Sequence, residues 1–145
     1  MKKIYLTGLE SSGQTWIRKC LNQHPDLDVI GDSAPTGWGR YKERRYDCAP
    51  LDCDAFVIVT RDQTCHRLSV DKLGYNRGCE GQFTDEESKA HILNYASQAS
   101  NVLWISYEAV MCYGQDYFDW VFRQLGVTPI HIETEYRDGN LKYIK

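Results

Sequence analysis

Short apolar runs alternate along the chain with stretches of helical period. Ile4-Tyr5-Leu6-Thr7 favours a strand, and Gly8 closes it. Trp16, Ile17, Cys20 and Leu21 then fall at i, i+1, i+4 and i+5, one face of a helix that exits through Asn22 to Pro25. Leu27 to Ile30 is a second strand, ended by Gly31. Asp54 to Thr60, DAFVIVT, is the clearest strand; its unbroken apolar run predicts burial on both faces, as in a central parallel strand. Gln63 to Leu73 reads as a helix. Thr84-Asp85-Glu86-Glu87 opens another as a capping box, running to about Ser100 with Ile92, Leu93, Tyr95 and Ala96 on its apolar face. Val102 to Tyr107 predicts a further buried strand. Tyr117, Phe118, Val121, Phe122 and Leu125 share the core stripe of a helix over 115–125, stopped by Gly126. Pro129 to Ile132 predicts a short edge strand. This order predicts one α/β domain over 1–145: a three-layer sandwich with a mostly parallel sheet.

The turn from the first strand to the first helix carries the leading candidate chemistry. Gly8-Leu9-Glu10-Ser11-Ser12-Gly13-Gln14-Thr15 nearly fits the phosphate-binding P-loop, G-x-x-x-x-G-K-[ST]. Backbone N–H groups converge at such a turn, and the helix dipole adds positive potential that favours a phosphate. Gly8, Gly13 and Thr15 stand at the required spacing, but Gln14 replaces the lysine that neutralises charge on a transferring group. Either another cation takes over, or the chemistry is not ordinary ATP hydrolysis. Arg77, in the glycine-rich segment Gly74 to Phe83 that reads as a lid, is the first candidate, with Arg67 and Arg18 as rivals. The expected fold is therefore P-loop nucleoside-triphosphate-hydrolase-like. The competing reading is a tight strand-to-helix turn in another α/β fold.

In parallel sheets ligands gather beyond the carboxyl ends of strands. Asp32 follows the second strand, so it is read either as the base that orients and deprotonates an acceptor hydroxyl or as a turn aspartate. Arg61-Asp62 follows the central strand; Arg61 and Ser69 could share one phosphate, or Arg61-Asp62 could be a local ion pair or helix cap. The segment 33–50 holds Trp38, Arg40, Arg44 and Arg45 among other basic and aromatic residues. It reads as an acceptor-binding insertion able to grip a nucleotide or single-stranded nucleic acid, against the alternative of a solvated charged surface. The charged tail 133–145 either folds back over the nucleotide or hangs free.

Composition narrows the partners. The net charge of −3 gives no global nucleic-acid signature, so such contact must come from a local patch. No apolar run is long enough to span a membrane and no signal peptide opens the chain, so the expected location is the cytoplasm, or a host's cytoplasm if the protein is phage-encoded. The six cysteines form no C-x-x-C pair and read as free thiols.

Several motifs together resemble the sulfotransferase family. Ser12-Gly13-Gln14-Thr15-Trp16 looks like its S-G-T-T-W phosphosulfate loop. Arg61-Asp62 followed by Ser69 looks like R-D-P-x(5)-S, with the arginine-to-serine spacing kept. Ser106-Tyr107-Glu108 resembles its Y-E-D, and Phe122 to Pro129 its F-L-G-I-P helix end. The matches keep the family's order over residues 4–129. The resemblance implies that Ser12, Gly13, Gln14, Thr15 and Trp16 hold the 5′ end of 3′-phosphoadenosine-5′-phosphosulfate; Gly8 and Ser11, in the same loop, are read as cofactor-binding on the P-loop pattern. Arg61 and Ser69 would hold its 3′-phosphate. The departures are Ser11 for the family's lysine, Gln63 for its proline, a short chain and no counterpart of its catalytic histidine, which leaves Asp32 as the base.

The chain is also similar to small P-loop kinases, including phage enzymes that phosphorylate hydroxymethylated pyrimidines in DNA. In that reading the cofactor is ATP with Mg²⁺, and Thr15 is the metal ligand. The leading expectation is a transferase that moves a sulfuryl group from an adenine nucleotide to an acceptor hydroxyl. An ATP-dependent kinase is the alternative, and a degenerate, non-catalytic nucleotide-binding domain is the third.

Overall fold

The computed structural model describes residues 1–8, 13–31, 53–72 and 85–143. The elements run β1 (Lys2–Gly8), α1 (Gln14–Leu21), β2 (Leu27–Gly31), β3 (Ala55–Thr60), α2 (Gln63–Lys72), α3 (Asp85–Gln98), β4 (Val102–Ser106), α4 (Tyr107–Tyr113) and α5 (Gln115–Gln124), with a 3₁₀ turn at Leu141–Tyr143. The four strands form one all-parallel sheet in the order β2-β1-β3-β4. The register places Gly31 beside Leu6, Gly8 beside Val59 and Thr60 beside Ser106, so all four strands end along one edge.

Strand alternation builds two cores. Ile4, Leu6, Val57, Val59 and Ile105 face α1, α4 and α5. Tyr5, Phe56 and Ile58 face α3 through Ile92. Helices thus cover both faces, and β1 and β3 are buried on both, as their unbroken apolar runs predict. Phe118, Val121, Phe122 and Leu125 are all buried, so the α5 stripe is core. The α5 helix ends in a Schellman motif: Val127 N–H donates to the Phe122 carbonyl, Gly126 N–H to that of Arg123, and Gly126 takes φ +76°.

Four expectations change. The 102–107 strand is an edge strand, ends at Ser106, and leaves Trp104 half exposed rather than buried. Leu93 points outward from α3. The missed helix α4 begins where Ser106 turns from strand to cap, its hydroxyl accepting from Ala109 N–H. Pro129 to Ile132 forms no strand. There the Gln115 amide does the pairing a neighbouring strand would do: its Nε2 donates to the Ile130 carbonyl and its Oε1 accepts from Ile132 N–H.

Among the described residues no helix is long and apolar enough to cross a membrane. Cys20, Cys53, Cys65 and Cys112 are free thiols; Cys48 and Cys79 lie outside the described residues.

Candidate functional site

The order β2-β1-β3-β4 reverses between β1 and β3. From β1 the chain leaves through α1 on one face; from β3 it passes to β4 through α3 on the other. This is the topological switch point, where the carboxyl ends of a doubly wound sheet leave a crevice. Gly13 opens α1 at this edge in the left-handed conformation, φ +86° and ψ 8°. Gly13, the N-cap, offers no side-chain bond to the first-turn N–H groups of α1.

Of the residues singled out in the loop, Gly8 ends β1, Gly13 caps α1, and Gln14 and Thr15 form its first turn. Gln14 is 8% exposed, and its Oε1 has no hydrogen-bond partner among the described residues. Thr15 is exposed. Trp16 is half-buried: its ring meets Phe118 and Tyr136 edge-on, and its Nε1 donates to Thr134 Oγ1 at 3.0 Å. Its one polar handle is thus tied to the C-terminal segment. Asp32, Arg77, Ser11, Ser12, Trp38, Arg40, Arg44 and Arg45 lie outside the described residues, as do the whole insertion 33–50 and the whole lid segment.

On the β3 side, Asp62 caps α2 by accepting from Cys65 N–H at 2.9 Å. Of the readings open for Arg61-Asp62, the helix cap is the one Asp62 takes. That bond, above all, holds its carboxyl below the ordinary aspartate value. The contribution to stability is complete above the unfolded-state value of about 3.9 and is lost as pH falls through the lower folded value. Melting temperatures of wild type and Asp62→Asn, followed from pH 7 downward, should therefore converge in acid. A gap that stays constant would refute the cap's charge as its source. Burial pushes the Cys65 and Cys20 thiols up, so both stay protonated at neutral pH.

Ser69 is buried on α2 beside Cys65 and His66. Arg61 turns to the tail instead. Its Nε donates to Asn140 Oδ1 at 2.6 Å, and its guanidinium lies over the Tyr107 ring at 5.1 Å. The rivals for the missing cation are placed less favourably. Arg18 is in the last turn of α1, away from the loop, and Arg67 is on the exposed side of α2.

Two further features shape the site: one escaped the sequence reading, and the other was one of two readings left open. Tyr107 is the junction of the site. Its ring packs on Gly13 so closely that a Cβ there would lie 2.6 Å from Cδ2, and its hydroxyl accepts from Gly139 N–H at 2.8 Å. The Ser106 cap with Glu108 in the first turn was the available signal for a helix start there. The second feature is the tail, which folds back. Glu133 and Gln23 exchange two hydrogen bonds, Thr134 and Tyr136 meet Trp16, and Gly139 and Asn140 reach Tyr107 and Arg61. It thus crosses from the far end of α1 to the carboxyl edge of the sheet. The short turn Arg137 to Asn140 was legible, but its partner was not. His24 is structural: its Nδ1 accepts from Asp26 N–H, which leaves Nε2 to donate to the Thr128 carbonyl.

No protein family, curated protein or solved structure matches the chain.

Proposed function

We propose that the chain is a sulfotransferase-like group transferase that holds an adenine nucleotide bearing two anionic groups at the β1/β3 switch point. One observation carries the reading: the glycine-led start of α1, which takes no side-chain cap from Gly13, and Arg61 stand at the exits of adjacent parallel strands, joined through the Tyr107 ring. Helix N-terminus and guanidinium are the two commonest ways to hold a phosphate or sulfate.

In this reading 3′-phosphoadenosine-5′-phosphosulfate is the donor. The acceptor oxygen forms a bond to sulfur, the bond from sulfur to the 5′-phosphate oxygen breaks, and the acceptor proton passes to a base. Asp32, the next residue in the sequence after Gly31, is assigned that role. Catalysis is then mostly positioning and charge stabilisation. A second reading rests on Thr15, whose exposed place in the first turn of α1 suits a Mg²⁺ ligand in an ATP-dependent kinase.

Calorimetric titration with adenosine 3′,5′-bisphosphate and, separately, with Mg-ATP tests the choice. The expected result is bisphosphate binding that weakens about tenfold or more in Arg61→Ala. Binding of Mg-ATP alone moves the assignment to the kinase, with hydroxymethylated DNA as the first acceptor to try. Binding of neither refutes both and leaves a degenerate domain.

A further inference from the structure

Arg61 is held by side-chain chemistry that only an amide can supply. Asn140 is 3% exposed. Its Oδ1 accepts from Arg61 Nε at 2.6 Å, and its Nδ2 donates to Glu108 Oε2 at 2.6 Å. A guanidinium only donates and a carboxylate only accepts, so the orientation of this amide is dictated by its neighbours. The other Glu108 oxygen accepts from Asp62 N–H at 3.0 Å, the residue next to Arg61 in the chain. The result is a closed circuit: Arg61 side chain, Asn140 amide, Glu108 carboxylate, Asp62 backbone. Asn140 is itself fixed, because its N–H donates to Asp138 Oδ1 at 2.9 Å and Gly139 N–H donates to Tyr107 Oη.

A planar guanidinium recognises an anion through the direction of its N–H groups, so whatever fixes its plane sets its selectivity. Burying an amide between two charged groups also uses each charge to strengthen the other's bond. Neither charge alone would hold the tail: a valine-sized side chain in place of Asn140 would leave Arg61 Nε and a Glu108 oxygen without these bonds, at the cost that unmade bonds to charged groups carry.

We propose that Asn140 is a positioning residue for the donor site: through the Glu108–Asn140–Arg61 circuit it orients the Arg61 guanidinium toward the second anionic group of the nucleotide. The inference rests on the nucleotide-binding reading above. It also makes the tail part of the site, 79 residues from the arginine it serves.

The test uses the full chain and two ligands, adenosine 3′,5′-bisphosphate and adenosine 5′-monophosphate, which differ in one phosphate. Wild type should prefer the bisphosphate. Asn140→Ala should lower bisphosphate affinity about tenfold while monophosphate affinity stays within about twofold. Glu108→Ala, which leaves Asn140 in place but removes its anchor, should reproduce the loss. The double variant should lose no more than either single one, because the two residues act through one path. An equal fall for both ligands, or a fully additive double variant, overturns the proposal. If wild type binds neither ligand, the nucleotide-binding reading fails and the inference with it. If wild type binds the bisphosphate and the variants match it, the inference alone fails. Should Asn140→Ala not fold, Glu108→Ala, at a residue outside the buried core, carries the same comparison.

Discussion

Phe118→Ala should lower the unfolding free energy by about 3–5 kcal/mol, the largest stability loss expected of any single truncation discussed here. Phe118 is fully buried in the core formed by α1, α5 and one sheet face. Its ring also meets Trp16 and Tyr136, at centroid distances of 6.1 and 6.3 Å. Truncation therefore removes packing from α1 through Trp16, from the tail through Tyr136, and from the shared core. Such a cavity cannot collapse cheaply, because Trp16 is pinned by its bond to Thr134 and Tyr136 lies against Gly114. Urea unfolding of wild type, Phe118→Leu and Phe118→Ala should show a graded series, with leucine well short of alanine. A loss below about 1 kcal/mol for alanine would mean that the tail does not pack as described.

Gly13→Ala should disable the site more than any other small substitution. The backbone at Gly13 has φ +86°, a conformation that costs an L-residue about 1–2 kcal/mol. The added methyl would also sit 2.6 and 2.8 Å from the Cδ2 and Cε2 atoms of Tyr107. That ring cannot swing aside, since it is buried, anchored by Gly139 and overlain by Arg61. The start of α1 must move instead. A displacement of about 1 Å at a positioning element can cost on the order of a hundredfold in rate, so turnover with a sulfuryl or phosphoryl donor should fall by that order. Nucleotide affinity should fall with it, while circular dichroism shows a folded protein with a lower melting temperature. A folded variant with unchanged nucleotide affinity would remove the α1 N-terminus from the site.

How much of this was legible follows from what each feature depends on. Local pattern was enough for β3 and α5, because burial on both faces leaves an unbroken apolar run and a helix stripe repeats at i, i+3 and i+4, and for β1 and β2, short runs closed by Gly8 and Gly31. Gly126 declared its stop by chemistry alone, whereas the cap at Asp62 was one of several readings until the Cys65 N–H bond decided it. The strand reading ran on through Tyr107 because the same apolar, aromatic run serves β4 and then α4; only the Ser106 hydroxyl marks the switch. Pro129 to Ile132 resembled a strand because Ile132 is buried, yet its hydrogen bonds go to one glutamine side chain. At the edge of the sheet, Gly13 and Arg61 were found by spacing. The residues that fix them were not, since Tyr107 and Asn140 act across gaps of many tens of residues, over which sequence carries no period. The charged tail was left between folding back and hanging free, because neither the arginine nor the glutamate that takes its amide is near it in sequence.

The parallel sheet also has a kinetic meaning. At the start of β1, Lys3 N–H donates to the Asp54 carboxylate at 2.8 Å while Asp54 N–H donates to the Lys3 carbonyl at 2.7 Å. These two residues are 51 apart in the chain, and no strand pair in the sheet can be made by a tight hairpin. Loop-closure entropy must therefore be met before any ladder rewards it. The doubly flanked β1 cannot mature until chain far downstream has arrived, so this protein should fold more slowly than a helical bundle of its length. The Lys3–Asp54 pair stands one residue before the β1–β3 register begins, at Ile4 beside Ala55, so it belongs to the same long-range closure.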